Sequence, residues 1–298
     1  MVERGRIRRS VSDLFGLFVV PAVLALLPWP VIYRVLKSFA ARTASFRDEA
    51  DVAWNVMREY AGHCDERAWK MRYKLVRWVE RVDTYLVLVR GTAWWLSQVD
   101  RQGEWPRAGA PGLLLTCHWG AGHWLWRCLQ SVGVRAYFLA RRPQVADLGV
   151  SRVALWYGAL RSRSFTRIGS LGPIFTGGSH ARMQDAFASG CSVVGMLDLP
   201  AQGSRSTRRV RLLGHEAILR CGLVELARDA AVDVALVSCG LDIESGRRRL
   251  IMEKLPAGLT IEETMARYAA HLDARLRETP EHWMMWHEAR AIFTRPAG

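Results

Sequence analysis

From residue 113 to residue 253 the sequence alternates between short apolar runs and longer stretches with helical spacing. Runs at 113–117, 134–139, 192–197, 234–239 and 248–253 have strand length, and most are rich in Val and Leu. Helical patterns lie between them at 121–129, 145–162, 179–188 and 216–229, and two more follow at 261–278 and 281–289. Parallel neighbours in a sheet need a crossover of a dozen or so residues, usually a helix. The alternation therefore predicts an α/β fold, with a central, largely parallel sheet flanked by helices. A Gly/Pro segment at 169–178 reads as irregular, and a basic loop and strand occupy 205–213.

The chain ahead of the sheet has a different character. Residues 43–97 read as helical with one loop near Gly62, and Trp69, Tyr73, Val76 and Val79 recur at three-to-four spacing. A linker at 101–112, with Pro106, Pro111 and three glycines, marks a boundary. The expected organisation is an N-terminal segment at 1–40, a helical region at 41–100 and an α/β domain at 101–298. Arg4, Arg6, Arg8 and Arg9 open the chain, and residues 14–33 carry no charge. That length would span a bilayer, but Pro21, Pro28 and Pro30 interrupt it. The expectation is a membrane-associated helical segment that dips into or lies on the membrane, its basic end on the cytoplasmic side. A buried helical hairpin is the alternative.

A net charge of +14 seeks an anionic partner. Neither zinc-finger spacing nor an aromatic-basic recognition run is present, so nucleic acid is not the expected one. Thirteen tryptophans alongside that charge favour a membrane surface. Six cysteines form no CxxC pair and no metal spacing, and several sit in apolar stretches, as buried thiols do in a reducing cytoplasmic setting.

Chemistry concentrates at 113–130, LLLTCHWGAGHWLWRCLQ, where an apolar strand reaches His118 and turns through Gly120 and Gly122 into a helix. Open α/β sheets collect their chemistry at the carboxyl ends of strands. His118 is the candidate general base. His123, in the first helical turn, is a candidate orienting group, and a His-x4-His metal site lacks a third ligand. Backbone N–H groups at 120–122 are candidate oxyanion donors. Trp119 and Trp124 are candidates to line an apolar groove. Asp198 ends the strand SVVGMLD, as catalytic support or as a cap. Arg141 and Arg142 follow another strand, and Arg205, Arg208, Arg209 and Arg211 follow Asp198; arginine forks suit phosphates. No G-x-S-x-G, G-x4-G-K-[S/T] or G-x-G-x-x-G motif occurs in the required context.

Three stretches resemble the lipid A biosynthesis acyltransferases, a branch of the lysophospholipid acyltransferase superfamily. GLLLTCHWGAGHW resembles the branch's strand and H-x-G-N-W-E signature. ASGCSVVGMLDLP with RRVRLLGHEAILRCGLVELARDAAVDVALV resembles its Asp-ended strand, short strand with a following Gly, and long helix. RETPEHWMMWHEARAIF resembles its closing Pro-Glu-x-Trp…Trp-x-His segment. The resemblance implies a glycerol-phosphate-acyltransferase-like fold on the cytoplasmic face of a bacterial inner membrane. It implies transfer of a fatty acyl group, typically from acyl carrier protein, to a hydroxyl or amine of a lipid or glycolipid, with no cofactor and no metal. It makes His118 the base and places Arg141 and Asp198 near family positions. The family's acidic partner falls on position 123, which is His here, and its Asn falls near Ala121 or Gly122. Either His123 orients His118, or a carboxylate such as Asp198 or Glu216 does. The competing expectation is a non-catalytic lipid- or carrier-binding homologue that lost the dyad.

Overall fold

Leu113 and Leu115 bury their side chains in one hydrophobic core while Leu114 enters another. That is the period-two alternation of a strand covered on both faces. The computed structural model describes residues 13–62, 64–120, 122–141 and 152–294. Its strands are β1 (Val99–Gly103), β2 (Gly112–Thr116), β3 (Ala136–Ala140), β4 (Ser170–Phe175), β5 (Ser192–Met196), β6 (Thr207–Leu212), β7 (His215–Arg220), β8 (Asp233–Leu241) and β9 (Arg248–Lys254). Seven of them form one sheet in the order β1-β9-β8-β2-β5-β3-β4, with β2 at its centre. All its pairings are parallel except β8 with β9.

The helices are α1 (Val20–Ala25), α2 (Trp29–Arg42), α3 (Arg47–Tyr60), α4 (Glu66–Val89), α5 (Thr92–Ser97), α6 (His123–Ser131), α7 (Arg152–Arg167), α8 (Ser179–Ala188), α9 (Gly222–Asp229), α10 (Ile261–Glu278) and α11 (Ala289–Ile292). The first core gathers α3, α8, α9, α10 and the closing tryptophans, and the second gathers α2, α5 and α6. The long helix α4 belongs to both. Trp69 and Tyr73 pack in the first core, and Leu75, Val76, Val79, Val82 and Leu86 in the second.

Four sequence expectations need correction. The Gly/Pro segment contains β4, whose Pro173 is tolerated because β4 is an edge strand with only β3 beside it. Part of the linker is β1, a mostly exposed strand on the opposite edge. Residues 216–229 are not one helix. β6 and β7 form an antiparallel hairpin turned by Leu213 and Gly214, both at positive φ, and α9 starts only at Gly222. Helix formers in HEAILR are overridden by cross-strand pairing. Residues 281–289 are not a continuous helix either, but two 3-10 turns, Pro280–His282 and Trp286–Glu288, on either side of an extended Trp283. Of the helix expected at 145–162, residues 145–151 lie outside the described residues.

The uncharged N-terminal stretch folds as a π-helical turn (Phe15–Val19), α1 and α2, broken at Pro28. Among the described residues no helix is long and apolar enough to cross a membrane. Leu24, Ile32 and Leu36 are buried against α4, whereas Phe15, Val23 and Leu26 are exposed. Tyr157 of α7 meets Phe18 edge-on at 6.0 Å, and the neighbouring Trp156 is 64% exposed.

These N-terminal helices are tied to the sheet by a buried ion pair. Arg248 Nη2 donates to Asp83 Oδ1 at 2.6 Å, and Trp124 Nε1 donates to Asp83 Oδ2 at 2.8 Å. The guanidinium lies 4.0 Å from the Trp29 ring centroid and 4.5 Å from that of Trp124. Such a pair is weak as net stability, yet removing one partner strands a buried charge. Asp83→Ala is expected to lower unfolding free energy by about 3–5 kcal/mol in urea titrations. The double change Asp83→Leu/Arg248→Met should lose clearly less.

Candidate active site

The site is built where β2 and β5 end. Their parallel register sets Leu113 beside Val193 and Thr116 beside Met196, an offset of 80 residues. Continued two residues beyond Thr116, the same offset brings His118 beside Asp198. The connections from the two strands then part: α6 packs in the second core and α9 in the first. A divergence of this kind opens a crevice at the carboxyl edge of an α/β sheet. Tyr268 of α10 fastens both strand ends, its hydroxyl donating to Thr116 O at 2.9 Å and accepting from Leu197 N at 3.4 Å.

His118 and Asp198 form a two-point contact. The backbone N–H of His118 donates to Asp198 Oδ2 at 2.8 Å, and Nδ1 lies 3.0 Å from Oδ1. A carboxylate can only accept, so Nδ1 carries the hydrogen and Nε2 presents its lone pair. Trp283 Nε1 donates to Oδ2 at 2.8 Å. Asp198 is fully buried, while 26% of the His118 side chain remains accessible. Burial opposes charge on the Asp198 carboxyl, but the His118 charge and the hydrogen bonds outweigh it and hold its pKa below the usual carboxylate value. Burial also opposes a charged imidazole, and Asp198, with a smaller contribution from Glu80, outweighs it, raising the His118 pKa above 6.5.

The closing segment straps the turn through His118 in place. Gly120 N donates to His282 O at 3.1 Å, and Met284 N donates to His118 O at 2.8 Å. Trp286 Nε1 donates to Pro280 O at 2.6 Å, and its ring meets Trp283 edge-on at 4.7 Å. Gly120 sits at φ 75°, where a Cβ would stand 2.1 Å from Cys239 O, so only glycine fits. Its N–H is taken by the strap, which removes it from the expected oxyanion donors. Ala121 lies outside the described residues, and Gly122 is the N-cap of α6.

The other expected residues divide. Trp119 is a buried wall beside the strap, its Nε1 donating to Thr279 O at 3.3 Å. His123 does not orient His118. It is fully buried, with Nε2 2.9 Å from Ser164 Oγ and its ring stacked on Phe165 at 4.4 Å. Burial, assisted by Arg161, pushes its pKa well below 6.5, so it stays neutral. Trp124 is a core residue on Asp83 and Trp95, away from any groove. Glu216 pairs with Arg209 on the outer hairpin at 3.0 Å. Arg208 is held by Glu262 at 3.0 Å, and Arg205 and Arg211 are exposed. Arg141 is exposed at the end of β3, and Arg142 lies outside the described residues. Among the described residues no group of three or more His, Cys, Asp or Glu side chains gathers as metal ligands.

Three contributors escaped the sequence reading: Trp283, Glu80 and Arg161. Glu80 and Arg161 lie close enough to act electrostatically on His118. Trp283 stood in the quoted closing motif, and only its role was missing. Glu80 and Arg161 stand in charged helical patterns that read as solvated faces.

No protein-family model matches the chain, and no curated protein matches it. In Asp198→Asn, burial would act on the imidazole without the opposing carboxylate. The His118 pKa, read by NMR titration of the labelled imidazole, is expected to fall to 6.5 or lower.

Proposed function

We propose that the protein is a membrane-associated acyltransferase that moves a fatty acyl group from a thioester, with acyl carrier protein the favoured donor, to a hydroxyl or amine of a lipid or glycolipid. The observation that carries this reading is the His118–Asp198 pair at the carboxyl edge of the central strand, with Nδ1 committed to the carboxylate. The resemblance of three stretches to lipid A acyltransferases supplies the reaction class. The pair supplies the orienting carboxylate that His123 does not, which weakens the case for a non-catalytic relic.

The chemistry follows from these groups. His118 Nε2 takes the proton as the acceptor oxygen or nitrogen bonds to the thioester carbonyl carbon. Asp198 stabilises the imidazolium that forms. The tetrahedral intermediate then expels the thiolate, the C–S bond breaks, and the imidazolium returns its proton to sulfur. The products are an ester or amide and a free carrier thiol, and no electrons are exchanged with another reagent.

The exposed apolar side chains Phe15, Val19, Val23, Leu26 and Val31 support a membrane-surface position, as does exposed Trp156, next in sequence to the Tyr157 that meets Phe18. The localisation follows the same reading: the cytoplasmic face of a bacterial inner membrane, with the chain lying on the bilayer.

The deciding assay is acyl transfer from labelled acyl carrier protein to a membrane lipid extract, read by mass spectrometry. His118→Ala should lose about 10²–10⁴-fold in rate, and Asp198→Asn a comparable factor. His123→Gln should keep most activity. Product persisting in His118→Ala would overturn the assignment of the base, and carrier or lipid binding without any product would favour the non-catalytic homologue. Separately, Val23→Glu/Leu26→Glu should weaken co-sedimentation with anionic phospholipid vesicles by about tenfold or more.

A further inference from the structure

Helix α4 passes from one core to the other, and Arg77 and Glu80 lie on it just past the change. Glu80 is buried, with 8% of its side chain accessible, although it is a carboxylate in the middle of a helix. Each of its oxygens meets a different guanidinium. Oε2 accepts from Arg77 Nη1 at 3.2 Å, and Oε1 pairs with Arg161 of α7. Arg77 in turn reaches Glu49 at 2.7 Å and the sulfur of Met284 at 3.0 Å. Met284 is the strap residue whose N–H holds the His118 carbonyl. On the other side, Ser164, one turn beyond Arg161, receives His123 from the helix that follows the catalytic turn. Glu80 therefore connects, through Arg77, to the strap that holds the His118 carbonyl and, through Arg161, to the helix that meets His123.

We propose that Glu80 is a positioning residue of the reaction centre: its buried carboxylate bridges Arg161 and Arg77, the latter in contact with the strap residue that holds the His118 carbonyl, and offsets the charge of Arg161. The physical need is specific. A general base becomes a cation during the reaction, and unbalanced guanidiniums nearby oppose that. The charged groups that act on the imidazole are Asp198 beyond β5, in direct contact, with Glu80 on α4 and Arg161 on α7 acting from further off. His282 of the strap is buried, and burial takes its pKa down to about 3, so it adds no charge. Arg275 of α10 lies over the Trp119 ring, its guanidinium 5.9 Å from the centroid. Glu80 acts to raise the His118 pKa and Arg161 to lower it. Removing Glu80 thus takes away the carboxylate that opposes Arg161, while Arg77 keeps its pairing with Glu49.

The kinetic side of this inference rests on the acyltransferase reading; the titration side does not. The test uses the full chain with 15N-labelled histidine and follows the His118 imidazole by NMR from pH 4 to pH 9 without substrate. Glu80→Gln is expected to lower the His118 pKa by about one unit, Arg161→Gln to raise it, and the double variant to return it near the wild-type value. Acyl-transfer assays should then show the acid limb of kcat/KM moving to lower pH in Glu80→Gln. Its plateau should be roughly 3- to 10-fold lower, mainly through kcat, and Glu80→Asp should recover part of the loss. A His118 titration unchanged in a Glu80→Gln protein that melts like wild type would overturn the proposal, as would a slower rate with no movement of the limb. If Glu80→Gln fails to fold, Arg161→Gln decides, because an unshifted His118 there is equally fatal. A chain that transfers no acyl group but shows the opposed titration shifts would sink the acyltransferase reading and leave the role of Glu80 standing.

Discussion

A fully buried carboxylate with three donors is the constraint on which the rest of this molecule turns. Asp198 would be costly to place between two cores without partners. It is satisfied by the His118 backbone, the His118 imidazole and the Trp283 indole. Each donor comes from a different level of structure: the strand register, the turn after β2, and a segment some 85 residues further along the chain. The carboxylate thus ties the closing strap to the sheet and selects the His118 tautomer with Nε2 available. The anchoring of the strap and the choice of tautomer depend on the same contact.

The turn through His118 is held from every side by backbone as well as by side chains. The strap takes the N–H of Gly120 and gives one to the His118 carbonyl, and Gly120 abuts the Cys239 carbonyl so closely that no side chain fits. Arg220 braces the loop after Asp198 by donating to Pro200 O at 2.8 Å and to Gln202 O at 3.3 Å. The tryptophans divide between these tasks. Trp283 and Trp286 build the strap, Trp119 walls the turn, and Trp29 and Trp124 enclose Arg248 in the second core.

Helix α4 has no counterpart in a sheet flanked by two independent layers. Packing in both cores, it brings charged residues from an N-terminal helical region to a centre otherwise made by strand ends. Its residues there looked like a solvated face because Glu, Arg and Lys alternate with apolar positions on any surface helix. The same ambiguity applied to α7, where Arg161 stands among arginines at 152, 163 and 167. In the folded chain, only some of these positions are covered, and burial gives their charge its consequence.

The sequence by itself determined the alternation of strands and helices, the strand character of the 113–117 run, and the position of His118 where that run ends. These are local properties, written in periodicity and in glycine placement, and they survive any arrangement of neighbours. It also carried Asp198 at the end of another strand, but not the pairing of the two. Only the tertiary structure chose Asp198 over His123 and Glu216, because the choice follows from β2 and β5 lying side by side with an offset of 80 residues. The edge strands β1 and β4 and the second hairpin strand, β7, were hidden for a related reason. Their residues are polar, Pro-containing or helix-forming, and they become strands through hydrogen bonds to partners that no local pattern announces.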